Sequence, residues 1–154
     1  MGLEAGDKAP NFKLATDDGD GASRAALKGN AFVLYFYPKD DTSGCTREAV
    51  DFTAAAAKFT KLGIPVIGVS KDSIASHEKF RKKHKLKITL ASDPDIKTAE
   101  DWGVWVEKSL YGRKYMGIER ATFLVDAKGV IAQAWHKVKV PGHVEAVLAA
   151  ARTL

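Results

Sequence analysis

The sequence predicts an α/β fold with a central mixed β-sheet flanked by helices, formed as a single domain from residues 1–154. Three observations support it. A strand–helix–strand pattern starts at Phe32, a hairpin pattern lies between Ala121 and Trp135, and an amphipathic helix follows Pro141. With 154 residues, of which 45% are hydrophobic, the chain is long enough for one sizeable core.

The first unit is a parallel pair of strands joined by a helix. Residues 32–37 form a continuous apolar run that is typical of a buried central strand. Residues 46–62 carry apolar side chains at helical spacing until Gly63 ends the helix, and residues 65–70 read as a second buried strand. A crossover helix between two strands of one sheet requires those strands to be parallel.

The second unit is shorter. Asp72 can cap a helix that runs through His77 towards Leu86, and residues 88–91 form a short strand candidate. A turn at residues 92–95 then leads to a short helix over residues 98–102.

The C-terminal part supplies the antiparallel strands. Residues 121–125 and 130–135 flank a turn sequence short enough for a hairpin, and the final helix places Val144, Val147 and Leu148 on one face. Residues 104–117 show no clear period, so we predict a long loop there.

Composition limits the classes of function. No stretch approaches the roughly 18 apolar residues of a membrane span, and the N-terminus lacks a secretory signal, so we expect a soluble, cytoplasmic protein that does not bind membranes. One cysteine excludes an internal disulfide and a cysteine-rich zinc site. The histidines do not cluster, and His77 and His84 are expected to be solvated, so no metal and no cofactor are predicted.

The net charge of +5 raises the question of nucleic-acid binding. Most of the excess positive charge lies between Lys79 and Lys87. In this segment cationic residues alternate with apolar residues along one predicted helix and the residues that follow it. This pattern is typical of a solvated outer helix face, so we predict no nucleic-acid partner.

Cys45, the only cysteine, follows a polar, turn-rich stretch at the junction of the first strand and helix. The first turn of a helix has unpaired N–H groups and the positive end of the dipole, and both favour a thiolate over a thiol. An ordinary cysteine is only a few per cent ionised at neutral pH, so full ionisation raises reactivity by roughly thirtyfold at most, or about 2 kcal/mol. A catalyst built here needs further groups that stabilise the transition state.

Several classes of thiol enzyme fit poorly. A cysteine protease needs a histidine base, which leaves only a distant residue such as His136. A cysteine phosphatase needs an arginine several residues beyond the cysteine, and Arg47 is too close. A dithiol oxidoreductase needs a second cysteine where Glu48 stands. What remains is a thiol with the Thr42 hydroxyl on the same face of a turn, able to hold a small substrate against the sulfur.

The motif Pro38-x-x-x-Thr42-x-x-Cys45 resembles the active-site signature of the peroxiredoxins. The wider pattern is similar to their bacterioferritin-comigratory, or Q-type, subgroup. It includes the opening segment 6–12, Phe36 to Lys39, Gly44 to Ala49, the turn 92–94, and the runs 111–118 and 120–126.

The resemblance implies a thioredoxin-like fold and a thiol peroxidase in which Cys45 attacks the O–O bond of hydrogen peroxide or an organic hydroperoxide. It implies that Arg120 stabilises the thiolate and bonds the peroxide oxygens, that the Thr42 hydroxyl contacts the peroxide, and that Pro38 shields the sulfur from water. It further implies that the backbone N–H groups of Gly44 and Cys45 complete the binding site for the peroxide.

Glu48 needs an explanation, because a carboxylate one turn beyond the sulfur disfavours the thiolate. In the resembling family this position orients the arginine, so we expect a Glu48–Arg120 pair that removes the conflict.

The chain also departs from the subgroup. Val50 stands where a resolving cysteine is common, the helix near Phe80 and Arg81 has none, and Ser43 replaces the familiar proline. We therefore expect a one-cysteine cycle, in a monomer or weak homodimer, with an external thiol reductant such as glutathione, a glutaredoxin or a thioredoxin. The alternative is a peroxide sensor or redox-regulated binding module that acts through a mixed disulfide at Cys45.

Overall fold

The structure, a computed structural model, describes residues 2–154. Its elements run in the order β1 (Lys13–Thr16), β2 (Ala22–Ser23), β3 (Phe32–Phe36), α1 (Ser43–Lys61), β4 (Val66–Ser70), α2 (Ile74–His84), β5 (Thr89–Ser92), α3 (Lys97–Asp101), β6 (Trp105–Leu110), β7 (Arg113–Ile118), β8 (Ala121–Val125), β9 (Ile131–Trp135) and α4 (His143–Ala151).

Seven strands form one mixed sheet in the order β2-β1-β5-β4-β3-β8-β9. The pairs β3–β4 and β4–β5 are parallel, whereas β8 lies antiparallel to β3 on its other side and pairs with β9. The predicted strand–helix–strand unit and the C-terminal hairpin are therefore confirmed. Strand β3 lies in the interior of the sheet, between β4 and β8, and all five of its residues are buried.

Two hydrophobic layers cover the faces of the sheet, and the alternation of side chains along β3 divides them. Phe32, Leu34 and Phe36 point into one layer, while Val33 and Tyr35 point into the other. The second layer contains the buried faces of α1, α2 and α4, whereas α3 packs on the first. Within residues 2–154, every helix is too short or too polar to cross a membrane.

The predicted loop over residues 104–117 was wrong, because this segment folds as a separate two-stranded hairpin of β6 and β7. Tyr111 and Gly112 form its two-residue turn, both with positive φ, as tight hairpins require. Most side chains on both faces of this hairpin are exposed, so it lacks the apolar alternation of a half-buried strand.

Three further local expectations differ from the structure. Helix α1 begins at Ser43 rather than at residue 46. Strands β1 and β2 were not predicted. The cap of α2 is Ser73, whose side chain accepts a hydrogen bond from the Ser76 N–H, while Asp72 accepts one from Asp40.

His77, predicted to be solvated, is fully buried. Its Nδ1 lies 2.7 Å from Asp40 Oδ2 and its Nε2 lies 2.9 Å from the carbonyl oxygen of Ala91. The Ala91 carbonyl can only accept a hydrogen bond, and a carboxylate at Asp40 also accepts, so these two contacts favour the imidazolium form of the ring. Burial lowers the His77 pKa, but the hydrogen bond and charge of Asp40 outweigh it and the pKa is raised.

The Asp40 carboxylate joins this histidine to the segment that follows β3. It also accepts hydrogen bonds from the Tyr37 hydroxyl at 2.7 Å and the Ser76 hydroxyl at 2.8 Å. The first turns of α2 are thus tied to the loop that leads into α1.

We expect H77Q to lower the free energy of unfolding by about 3 kcal/mol at about pH 5.5, because it leaves the buried Asp40 charge without its cation. A folded-state pKa above the unfolded value makes this contribution complete below the ordinary pKa of 6.5 and removes it as pH rises through the raised value. Chemical denaturation should therefore show a smaller difference between wild type and H77Q at about pH 9.

H84Q on the same helix is the matched control. Its ring bonds Asp41 at 2.9 Å, but the side chains of His84 and Asp41 are 22% and 43% exposed, so a loss below about 0.5 kcal/mol is expected. Equal decreases in the free energy of unfolding for H77Q and H84Q would argue against a buried imidazolium. A difference between wild type and H77Q that does not become smaller as the pH rises would also argue against it.

Candidate active site

Cys45 lies in the first turn of α1, the helix that follows β3. Its side chain is turned into the helix-covered core layer and the residue is only 1% exposed. The first helical hydrogen bond runs from the Thr46 N–H to the Thr42 carbonyl, so the N–H groups of Gly44 and Cys45 precede the intrahelical ladder. Cys45 therefore lies in the first turn at the positive end of a nineteen-residue helix, where backbone N–H groups lack helical partners.

Arg120 reaches the sulfur from the neighbouring strand. Phe36, at the end of β3, pairs with Ala121, at the start of β8, so the residue before Ala121 lies beside the loop that leaves β3. Arg120 Nη2 donates to Cys45 Sγ at 3.3 Å, and Arg120 Nη1 donates to Glu48 Oε1 at 2.8 Å. The expected Glu48–Arg120 pair is present, and one guanidinium binds both groups.

Glu48 is fully buried, one helical turn after Cys45. Its Oε1 accepts from Arg120, whereas its Oε2 has no hydrogen-bond partner among the described residues. Burial raises the Glu48 pKa to about 7, although the charge and hydrogen bond of Arg120 act in the opposite direction. This carboxyl can therefore change its charge near neutral pH.

Thr42 is the residue before α1, but its side chain makes no capping hydrogen bond. Its hydroxyl instead donates to the Lys39 carbonyl at 2.8 Å. Because the proton is committed to Lys39, the lone pairs of the hydroxyl oxygen are left to accept a hydrogen bond. Thr42 is exposed, so a small solute can reach it.

Pro38 and Gly44 border the same site. Pro38 lies two residues beyond the end of β3 and is half-buried. A Cβ atom at Gly44 would lie only 3.1 Å from Arg120 Nη2, so the absence of a side chain permits the close approach of the guanidinium. The structure thus gathers the six predicted site residues at one junction: Pro38, Thr42, Gly44, Cys45, Glu48 and Arg120.

The contacts that hold the loop before α1 in place were not predicted from the sequence. Besides the Asp40–His77 pair, Asp41 adopts a positive φ of 59° and accepts from Lys83 at 2.7 Å and His84 at 2.9 Å. A signal was present, since His77 precedes the buried Phe80 by three residues and therefore shares its helix face. The partner of His77 could not be read from the sequence because Asp40 is distant along the chain.

His136, the distant base that a protease would require, is engaged elsewhere. Its Nδ1 lies 2.9 Å from Glu119 Oε2 and its Nε2 lies 2.7 Å from the Leu3 carbonyl. His143 bonds the Thr122 hydroxyl at 2.8 Å, and burial followed by the Arg120 charge lowers its pKa to about 4. Neither histidine hydrogen-bonds the Cys45 sulfur, which removes the support for the protease hypothesis.

Comparisons with known proteins agree with this geometry. The AhpC/TSA family matches residues 5–134. A putative peroxiredoxin Bcp of Coxiella burnetii is 51% identical over 148 residues, which cover 96% of this chain and 98% of the relative. The peroxiredoxin Bcp of Bacillus subtilis is 47% identical over 148 residues, covering 96% and 94% of the two chains.

A solved structure of peroxiredoxin Q from Xanthomonas campestris superposes with a TM-score of 0.87 at 44% identity, covering 92% of this chain and 90% of the other. The expected thioredoxin-like fold is thereby confirmed. The chain belongs to the AhpC/TSA family, in its bacterioferritin-comigratory or Q-type peroxiredoxin subgroup, and is a thiol-dependent peroxidase.

Proposed function

We propose that this protein reduces hydrogen peroxide and organic hydroperoxides in a one-cysteine cycle, in which Cys45 becomes a sulfenic acid and an external thiol restores it. The observation that supports it most directly is the Arg120 guanidinium, which donates to Cys45 Sγ at 3.3 Å while it is held by Glu48 at 2.8 Å. A cation at this place favours the thiolate and can also donate to an oxygen that approaches the sulfur.

In the oxidative step the Cys45 thiolate attacks one oxygen of ROOH. An S–O bond forms, the O–O bond breaks, and the departing RO⁻ takes a proton to leave as ROH. Negative charge moves from sulfur to the leaving oxygen, so donors that face both atoms stabilise the transition state more than the ground state. We assign this function to Arg120 and to the N–H groups of Gly44 and Cys45.

Thr42 and Pro38 have supporting functions in this proposal. The Thr42 hydroxyl donates to Lys39, so it accepts the remaining O–H of the hydroperoxide and orients it for attack. Pro38 cannot donate a backbone hydrogen bond and limits the access of water to the sulfur. Neither residue carries charge, so their contribution is one of positioning.

The reductive half must come from outside the chain, because Cys45 is its only cysteine. Val50, at the place of a common resolving cysteine, is 41% exposed, and Phe80 in α2 is buried. Glutathione, a glutaredoxin or a thioredoxin would each supply the required thiol, and a reducing cytoplasm holds such reductants.

The proposal is tested by peroxide consumption and by intact mass. With one equivalent of hydrogen peroxide, the wild type should gain one oxygen, and a thiol should remove it and sustain catalytic consumption. C45S should do neither. Turnover that survives C45S would refute the assignment, while oxidation followed by a mixed disulfide that no thiol resolves would favour the sensor alternative.

We expect T42V to lower the second-order rate constant for Cys45 oxidation by about tenfold, because the substitution keeps the shape but removes the acceptor. T42S retains the hydroxyl and should stay within about threefold of the wild type. Stopped-flow measurement with hydrogen peroxide distinguishes the variants, and equal losses in T42V and T42S would exclude a function for the hydroxyl.

We expect the effect of E48Q on the oxidation rate to depend on pH. The Glu48 pKa is raised by burial to about 7, so the wild-type side chain is neutral well below that pH and resembles the amide. Well above it, only the wild type has the ion pair that orients Arg120, and its rate constant should exceed that of E48Q by about tenfold. A wild-type to E48Q ratio that is constant from about pH 5 to pH 9 would contradict this account.

A further inference from the structure

A cavity of about 250 Å³ lies at the end of β3 that is remote from the active site. One of its lining residues is Phe32, the first residue of β3. Phe36, at the other end of the strand, pairs with Ala121, the neighbour of Arg120. About 13 Å of extended strand separates Phe32 from Phe36, so the cavity is distinct from the peroxide site.

Three cationic side chains line this cavity, those of Arg24, Lys28 and Lys128, and its lining contains no carboxylate. Within residues 2–154, none of the three cations forms a salt bridge. The carboxylate of Asp126, two residues before Lys128, accepts instead from the backbone N–H groups of Lys128 and Val130 at 2.9 and 3.0 Å. The three positive charges are therefore available to an anionic ligand.

The segments that border the cavity are joined by backbone hydrogen bonds. The Arg24 N–H donates to the Phe12 carbonyl at 3.1 Å, and the Ala9 N–H donates to the Gly129 carbonyl at 2.9 Å. The half-buried Arg24 side chain lies against the backbone of Gly129, because a Cβ atom there would be 3.0 Å from Nη2 and 3.5 Å from Nε. The cavity and its guanidinium are thus held in place without a ligand.

The rest of the lining combines amide and apolar side chains, which are Asn11, Asn30, Ala25, Leu27 and Phe32. An amide NH₂ group can donate to an anionic oxygen, and apolar side chains can pack against an organic group. A phosphate monoester carries a charge of about −1.5 to −2 at pH 7 and three acceptor oxygens, so it suits three cations better than a single carboxylate does.

We propose that this cavity is a binding site for a small organic phosphate monoester. The phosphate lies among Arg24, Lys28 and Lys128, and the organic group packs against Leu27 and Phe32. Arg24 contributes most, because its planar guanidinium can donate two parallel hydrogen bonds to one phosphate. The site is separate from the peroxide chemistry at Cys45.

The test titrates the protein with phenyl phosphate, benzoate and inorganic phosphate and follows the backbone amides by NMR spectroscopy. Phenyl phosphate should saturate the protein with a dissociation constant of about 1 mM or below and shift the amides of residues 24–30 and 128–129. Benzoate has the ring with a single charge, and inorganic phosphate has the charge without the ring. Each should bind at least about fivefold more weakly, and added salt should weaken the binding of phenyl phosphate.

Two substitutions at Arg24 separate charge from geometry. R24M should weaken the binding of phenyl phosphate about tenfold, and R24K about threefold because it keeps the charge but loses the planar fork. K139M is the matched control, since Lys139 is exposed and lies outside the cavity, and it should change the affinity less than about twofold. All three variants should consume hydrogen peroxide within about twofold of the wild-type rate, which also shows that they are folded.

Failure of phenyl phosphate to saturate the wild type up to about 10 mM would overturn the inference. Equal affinities for phenyl phosphate and inorganic phosphate would also overturn it, because the cavity would then hold an adventitious ion only. Equal losses in R24M and K139M would attribute the binding to the net charge of +5 and not to this cavity. Peroxide consumption is measured separately, so these failures are distinct from a failure of the one-cysteine cycle.

Discussion

The arrangement around Cys45 depends on one guanidinium that binds two groups at once. Arg120 donates to the sulfur and to Glu48, which lie three residues apart on the same face of α1. Glu48 is fully buried, and its negative charge disfavours a thiolate at Cys45. The Arg120 guanidinium offsets both effects because it forms hydrogen bonds with the carboxylate and with the sulfur. The missing side chain of Gly44 gives the guanidinium room to take this position.

Two parts of the fold position Arg120 next to Cys45: the pairing of β3 with β8, and the contacts of α2 with the loop before α1. The register of β3 with β8, in which Phe36 pairs with Ala121, places Arg120 beside the C-terminal end of β3. From the other side, α2 holds the loop before α1 through the buried Asp40–His77 pair and through Asp41. The loop between strand and helix is thus anchored at both ends and along its length, which preorganises the donors around the sulfur.

The sequence predicted the central strands, the crossover helix and the C-terminal hairpin because their apolar patterns are strong. It failed where the pattern is weak: most side chains of the β6–β7 hairpin are exposed on both faces, and β2 has only two residues. The predicted site residues came from local motif spacing and from the family resemblance, and they lie together. The Asp40–His77 pair joins residues distant in the chain, so it could not be predicted from local sequence patterns.

We propose that Arg120 stabilises the transition state of peroxide cleavage in addition to favouring the thiolate. Ionisation alone is limited to roughly thirtyfold, so the two contributions are separable. The most direct measurement compares the rate constants of wild type and R120M with hydrogen peroxide and with iodoacetamide, which requires the thiolate but contains no O–O bond. We expect R120M to slow the peroxide reaction by about a hundredfold or more and alkylation by less than about thirtyfold. An equal loss in both reactions would contradict it.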